Sequence, residues 1–154
     1  MKKLPYEEGT WFAVPLEQGG FATGVIARMA PKGKLLFGYF FGPRRADVPK
    51  LKDVEDQQPK EAVSIDRFGD FGLYKKTWPI IGKSDHWIRE IWPMIPFYRI
   101  EPILGKKYKI IYDNQDPSIT VSEVLLPDSA EVEWTSGLAG SGLVEVRLSR
   151  LLGA

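Results

Sequence analysis

Apolar and polar side chains alternate, or run unbroken in short stretches, along the first forty positions, and turn residues punctuate them. Residues 10–16, 21–29 and 34–41 are rich in aromatic and β-branched side chains, and each reads as a strand. Glu17-Gln18-Gly19-Gly20 and Pro31-Lys32-Gly33 separate them, and glycine accepts the positive φ of a tight hairpin. A β-meander follows. Leu35-Leu36-Phe37-Gly38-Tyr39-Phe40-Phe41 is almost continuously apolar, which predicts a central strand covered on both faces, with Gly38 at a bend or bulge.

Residues 43–60 are charged and carry three prolines, the composition of a solvated connection. Leu51 and Val54 fit one helical turn there, confined by Pro49 and Pro59. Alternation returns over 62–68, Gly69-Asp70-Phe71-Gly72 breaks it, and 73–81 reads as a further strand. Prolines 93 and 96 exclude a long helix from 87–100 and permit an edge strand. Residues 108–112 form a short strand, Asp113-Asn114-Gln115-Asp116-Pro117 a turn, and 119–126 its partner strand. Beyond a glycine-rich loop at 136–142, Val144, Leu148, Leu151 and Leu152 fall at i, i+4, i+7 and i+8, the spacing of a helical face. The expected fold is α+β: mainly antiparallel β, as a meander or small barrel-like sheet, with one C-terminal helix. Trp78-Pro79 and Trp92-Pro93 look alike, but no longer period accompanies them, so residues 1–154 read as a single domain.

Composition narrows the function. Twenty-one Lys and Arg against twenty Asp and Glu leave a net charge of +1, so nucleic acid is not an expected partner. The chain has no cysteine, which removes disulfides and thiolate chemistry and suits a reducing compartment. Lys2 and Lys3 have no apolar stretch behind them, and no run approaches the roughly 18 apolar residues of a membrane span. A cytoplasmic protein with no membrane partner is expected.

Reactive side chains are few. His86, the only histidine, lies beside Asp85 and Trp87 and just before Arg89 and Glu90, in the densest polar and aromatic cluster of the sequence. If the chain is an enzyme, His86 oriented by Asp85 is its base; otherwise it is a surface or packed residue. No serine falls at a spacing that assigns it as a nucleophile. Carboxylates Asp113, Asp116 and Glu123 suit either a metal or an ordinary turn, and the turn is the expectation, with no metal or cofactor implied. The loop at 136–142 lacks the lysine of a phosphate loop, so Ser141 or Gly142 is expected to cap the helix and Glu145 to favour its first turn. Lys106, Lys107 and Lys109 are expected to protect an exposed strand from edge pairing. Trp87, Arg89, Trp92 and Tyr98 lie within twelve positions and are residue types that concentrate binding energy at interfaces.

The ordered motifs Glu8-Gly9-Thr10-Trp11-Phe12-Ala13-Val14-Pro15-Leu16, Gly19-Gly20-Phe21-Ala22-Thr23-Gly24-Val25-Ile26-Ala27-Arg28 and Leu36-Phe37-Gly38-Tyr39-Phe40-Phe41-Gly42-Pro43 resemble the immunity 26 family of bacterial polymorphic toxin systems. So do Arg67-Phe68-Gly69-Asp70-Phe71-Gly72-Leu73, Trp78-Pro79-Ile80-Ile81-Gly82, Trp92-Pro93-Met94-Ile95-Pro96-Phe97 and Gly142-Leu143-Val144-Glu145-Val146-Arg147-Leu148. The resemblance implies a small cytoplasmic α+β protein that binds and blocks a cognate toxin, often a nuclease. Asp47, Asp53, Glu55 and Asp56 would then mimic nucleic-acid phosphate, with Trp87, Arg89 and Trp92 as anchors and Glu90 and Tyr98 beside them. The same grouping is associated with a phosphotriesterase of the HocA kind, which implies hydrolysis of organophosphate triesters. Barrel enzymes of that activity gather histidines around two metals, and a 154-residue chain with one histidine departs from that pattern. A small-ligand-binding β module is the third reading, and it predicts a large apolar cavity.

Overall fold

The predicted meander forms as β1 (Thr10–Pro15), β2 (Phe21–Met29), β3 (Leu35–Arg45) and β4 (Ser64–Gly69), each antiparallel to the next. The first hairpin turns through Gln18, Gly19 and Gly20, with φ of 68°, 99° and 80°. This computed structural model describes residues 3–132 and 138–153. Between β3 and β4 lies α1 (Leu51–Val54), the single helical turn that the flanking prolines allow. After β4 come α2 (Phe71–Tyr74), β5 (Ile80–Lys83), β6 (Phe97–Ile100), β7 (Lys107–Tyr112), β8 (Thr120–Leu125), β9 (Leu138–Ala139) and α3 (Ser141–Leu152).

Two open sheets result among the described residues: six strands in the order β5-β1-β2-β3-β4-β9, and three in the order β6-β7-β8. The α+β expectation holds, as a meander and not as a barrel. Alternation along the large sheet feeds two apolar cores. Phe12, Val14, Ile26, Leu36, Phe40 and Phe68 face one side, where Val144 and Leu148 of α3 join Leu73 and Trp78. Trp11, Val25, Phe37, Tyr39 and Phe41 face the other, where Val54, Trp92, Phe97, Ile110 and Tyr112 meet them. Each fully buried Phe, Leu or Val contributes about 1.5–3 kcal/mol, so both layers are needed.

Several local expectations change. Residues 73–81 are not one strand: α2 turns the chain, Lys76 takes φ 65°, and only 80–83 pair with β1. The cause is Trp78, whose indole lies so close to Gly72 that a Cβ there would sit 2.6 Å from it, folding the segment back on itself. Within the glycine-rich stretch, Leu138 and Ala139 pair parallel with β4, satisfying part of an otherwise open edge. Ser136 and Gly137 lie outside the described residues. The α3 N-cap is Gly140, not Ser141 or Gly142, and Glu145 accepts the Trp78 indole N–H at 2.8 Å. Leu151 is 54% exposed; the buried line of α3 runs Val144, Leu148, with Leu152 partly covered. The lysines on β7 do not guard an edge, because β7 is the middle strand of its sheet. Trp78-Pro79 and Trp92-Pro93 serve opposite cores.

Gly38 marks a close approach. A Cβ on it would stand 2.5 Å from the Val25 carbonyl oxygen and 3.0 Å from the Phe68 ring, and the bulge falls opposite it in β2, between Ile26 and Arg28. We expect Gly38→Ala to lower unfolding free energy by about 1–3 kcal/mol, read as a lower urea midpoint at unchanged m-value.

Candidate functional site

The cover on the second core is only partly regular. Between β5 and β6 the chain makes a turn at 84–86, a 3₁₀ turn at Arg89–Ile91 and an extended stretch into β6. Trp92 fastens this segment to the sheet. It is 3% exposed and meets Trp11, Tyr39 and Phe41 edge-on, with ring centroids 5.8, 5.1 and 6.0 Å away. The buried Tyr39 hydroxyl donates to the Pro93 carbonyl, a second fastening one residue on. Trp87 then stacks on Trp92 at 5.6 Å and 17° and stays half-buried. Its indole lies over Gly9, where a Cβ would come within 2.9 Å.

Depressions of different character flank this tryptophan pair. On one side, a cavity of about 160 Å³ is lined by Glu55, Asp56, His86, Trp87 and Trp92 among others, with no Lys or Arg in its described lining. On the other, a cavity of about 430 Å³ is lined by Arg28, Arg89, Glu90 and Asn114 with an apolar wall from Pro93, Met94 and Ile111. Arg89 donates from Nε to Glu8 at 2.8 Å and from Nη2 to the Asn114 carbonyl. Arg28, on β2 and 3% exposed, donates from Nε to Asn114 Oδ1 at 2.9 Å. Burial, then the neighbouring Arg89 charge, pull its pKa below the usual arginine value, with Glu8, Tyr39 and Glu90 opposing.

Of the residues singled out in the sequence, the fold gathers Glu55, Asp56, Asp85, His86, Trp87, Arg89, Glu90 and Trp92 around one surface region. Trp92 is its floor, not an exposed contact. Tyr98 sits apart on β6, opposite Lys109. Asp53 accepts the Lys50 backbone N–H at 3.1 Å, capping α1, and Asp47 is exposed in the connection before it. His86 is exposed; its backbone N–H donates to Ser84 Oγ at 3.1 Å, and its ring makes no hydrogen bond with Asp85 or a serine among the described residues. The turn carboxylates are occupied separately. Asp113 accepts the N–H groups of Gln115 and Asp116, Asp116 accepts that of Ser118, and Glu123 pairs with Arg99. Sequence reasoning missed Arg28, Glu8 and Asn114, which come from three distant segments. A lone arginine between apolar neighbours in β2 was the available signal.

The chain is thus an α+β protein whose charged and aromatic side chains converge on open surface depressions, and no described helix is long and apolar enough to cross a membrane. It belongs to the Immunity protein 26 family, whose family model matches residues 7–109, and so is an immunity protein of a toxin system, a class that binds a toxin partner. No curated protein and no solved structure matches it.

The fastening by Tyr39 carries a pH signature. Burial raises its phenol to about 12, against the opposing charge of Arg28. Because the folded value lies above the unfolded one, Tyr39 stabilises fully below pH ~10, and that contribution is lost as pH climbs from there through the folded value. We expect stability to fall across that window, and to fall less steeply in Tyr39→Phe. At neutral pH the same variant should lose about 1–3 kcal/mol, because Pro93 loses its donor; urea titrations at a series of pH values read both effects.

Proposed function

We propose that this protein neutralises its toxin by seating the surface around Trp87 over the toxin's active site, as a single-domain inhibitor in the cytoplasm. The observation that carries this reading is the juxtaposition of Glu55 and Asp56 with the Trp87 face in one depression whose described lining holds no cation. Carboxylates beside a half-buried indole suit a basic cleft, so the toxin is read as a nuclease, with the carboxylates taking the place of nucleic-acid phosphates. Trp87 supplies rigid contact area at small entropic cost, and Trp92 beneath it holds it in place. Arg89, Glu90 and Asp85 surround it and orient the partner, while Asp47, Asp53 and Tyr98 lie outside this centre.

Hydrolysis of a triester finds less support. The His86 ring makes no hydrogen bond among the described residues, and no group of three His, Asp or Glu among them is arranged to hold a metal. The two cavities beside Lys83 and beside Arg28 open to solvent, unlike the enclosed apolar cavity of a ligand-carrying β module.

Co-expression with the toxin encoded beside its gene tests the proposal. Wild-type protein should restore growth, and Trp87→Ala should weaken the purified complex by about 2 kcal/mol, roughly 30-fold, while retaining its circular dichroism. Cell death that continues despite soluble wild-type protein would sink the reading.

A further inference from the structure

The arginine-lined cavity holds an imbalance that the fold does not resolve. Arg28 is 3% exposed and makes no ion pair among the described residues. Its Nε and Nη1 bond to Asn114 Oδ1 and the Ala27 carbonyl, which leaves Nη2 without a hydrogen-bond partner among the described residues. A second guanidinium is brought to the same place, because Arg89 bonds to the carbonyl of that same Asn114. Glu8 pairs directly with Arg89 and reaches Arg28 only through its field, as Glu90 does. Both guanidiniums are held on one asparagine and face an open cavity of about 430 Å³; Arg89 is paired with Glu8, whereas Arg28, its charge disfavoured by burial and by Arg89, has an N–H group there without an acceptor among the described residues.

A carboxylate supplies what is missing. It carries one negative charge and two acceptor oxygens, and it matches guanidinium N–H groups in a planar fork. The wall of Pro93, Met94 and Ile111 suits the methylenes behind such a group better than a fully hydrated ion. Glu90 on the rim, exposed and of like charge to the guest, weakens the site and sets its sign in a test. We propose that this cavity receives the carboxylate of an Asp or Glu side chain on the toxin, clamped between Arg28 and Arg89. This rests on the toxin-blocking reading, and it adds a contact of opposite polarity to the one at Glu55 and Asp56.

Acetate is the probe. In arginine-labelled protein, the side-chain resonances of Arg28 and Arg89 should shift saturably with acetate, and not with chloride at equal ionic strength. Arg89→Gln should weaken acetate binding by about tenfold, and the exposed-site variant Glu90→Gln, which leaves folding untouched, should tighten it several-fold. Equal shifts with chloride, no saturation, or no tightening in Glu90→Gln would overturn the site. In the complex, Arg89→Gln should weaken toxin binding by about tenfold, and acetate should compete. Toxin binding indifferent to Arg89→Gln and to acetate would overturn this inference alone, whereas a wild-type protein that binds acetate but no toxin would overturn the blocking reading with it.

Discussion

A strand that is apolar on both faces has to be covered twice, and β3 imposes that requirement on the molecule. Leu36 and Phe40 point to one core, Phe37, Tyr39 and Phe41 to the other, and all five are buried to within 1% exposure. The first cover is ordinary: α3 lays Val144 and Leu148 on the sheet, and the ion pair of Arg147 with the buried Asp66, together with the Trp78–Glu145 hydrogen bond, holds it there. The second cover is assembled from short pieces, namely α1 before β4 and, after it, the segment between β5 and β6 and the small sheet. Prolines in that segment prevent it from becoming a helix or a long strand, so it packs through its tryptophans instead.

The surface proposed to meet the toxin arises from that second cover. An irregular segment leaves gaps at its margins, and polar groups of neighbouring elements reach into them. Glu8 arrives from the chain before β1, Arg28 from β2, Asn114 from the turn between β7 and β8. The two depressions are of opposite polarity because α1 and its acidic tail border one side of the tryptophan pair and the arginines border the other. A partner that satisfies both is held in one orientation, which a single charged patch would not enforce.

The strands were legible because alternation records which side of a sheet each residue faces, and β3 announced its burial by lacking alternation. Elements decided by contacts between distant segments were not. Trp78 against Gly72 converts an expected strand into α2 and a turn, and neither residue signals the other in sequence. The same holds for the site. The cluster from Asp85 to Trp92 was visible because its members are neighbours along the chain, but the burial of Trp92 depends on Trp11, Tyr39 and Phe41 from two other strands. Nothing in the sequence links Arg28 to Asn114 and Arg89, which only the fold places beside it.

The tryptophan stack divides labour vertically. Trp92 belongs to the interior and answers to folding, whereas Asp85, Glu90 and Asp56 above and around it are exposed and carry almost none of the packing. Exchanges at such solvent-facing positions usually alter stability by no more than about 0.5 kcal/mol. If this surface is the toxin-binding face proposed above, a lineage can rewrite which adversary it recognises, one outer residue at a time, on a foundation that stays put.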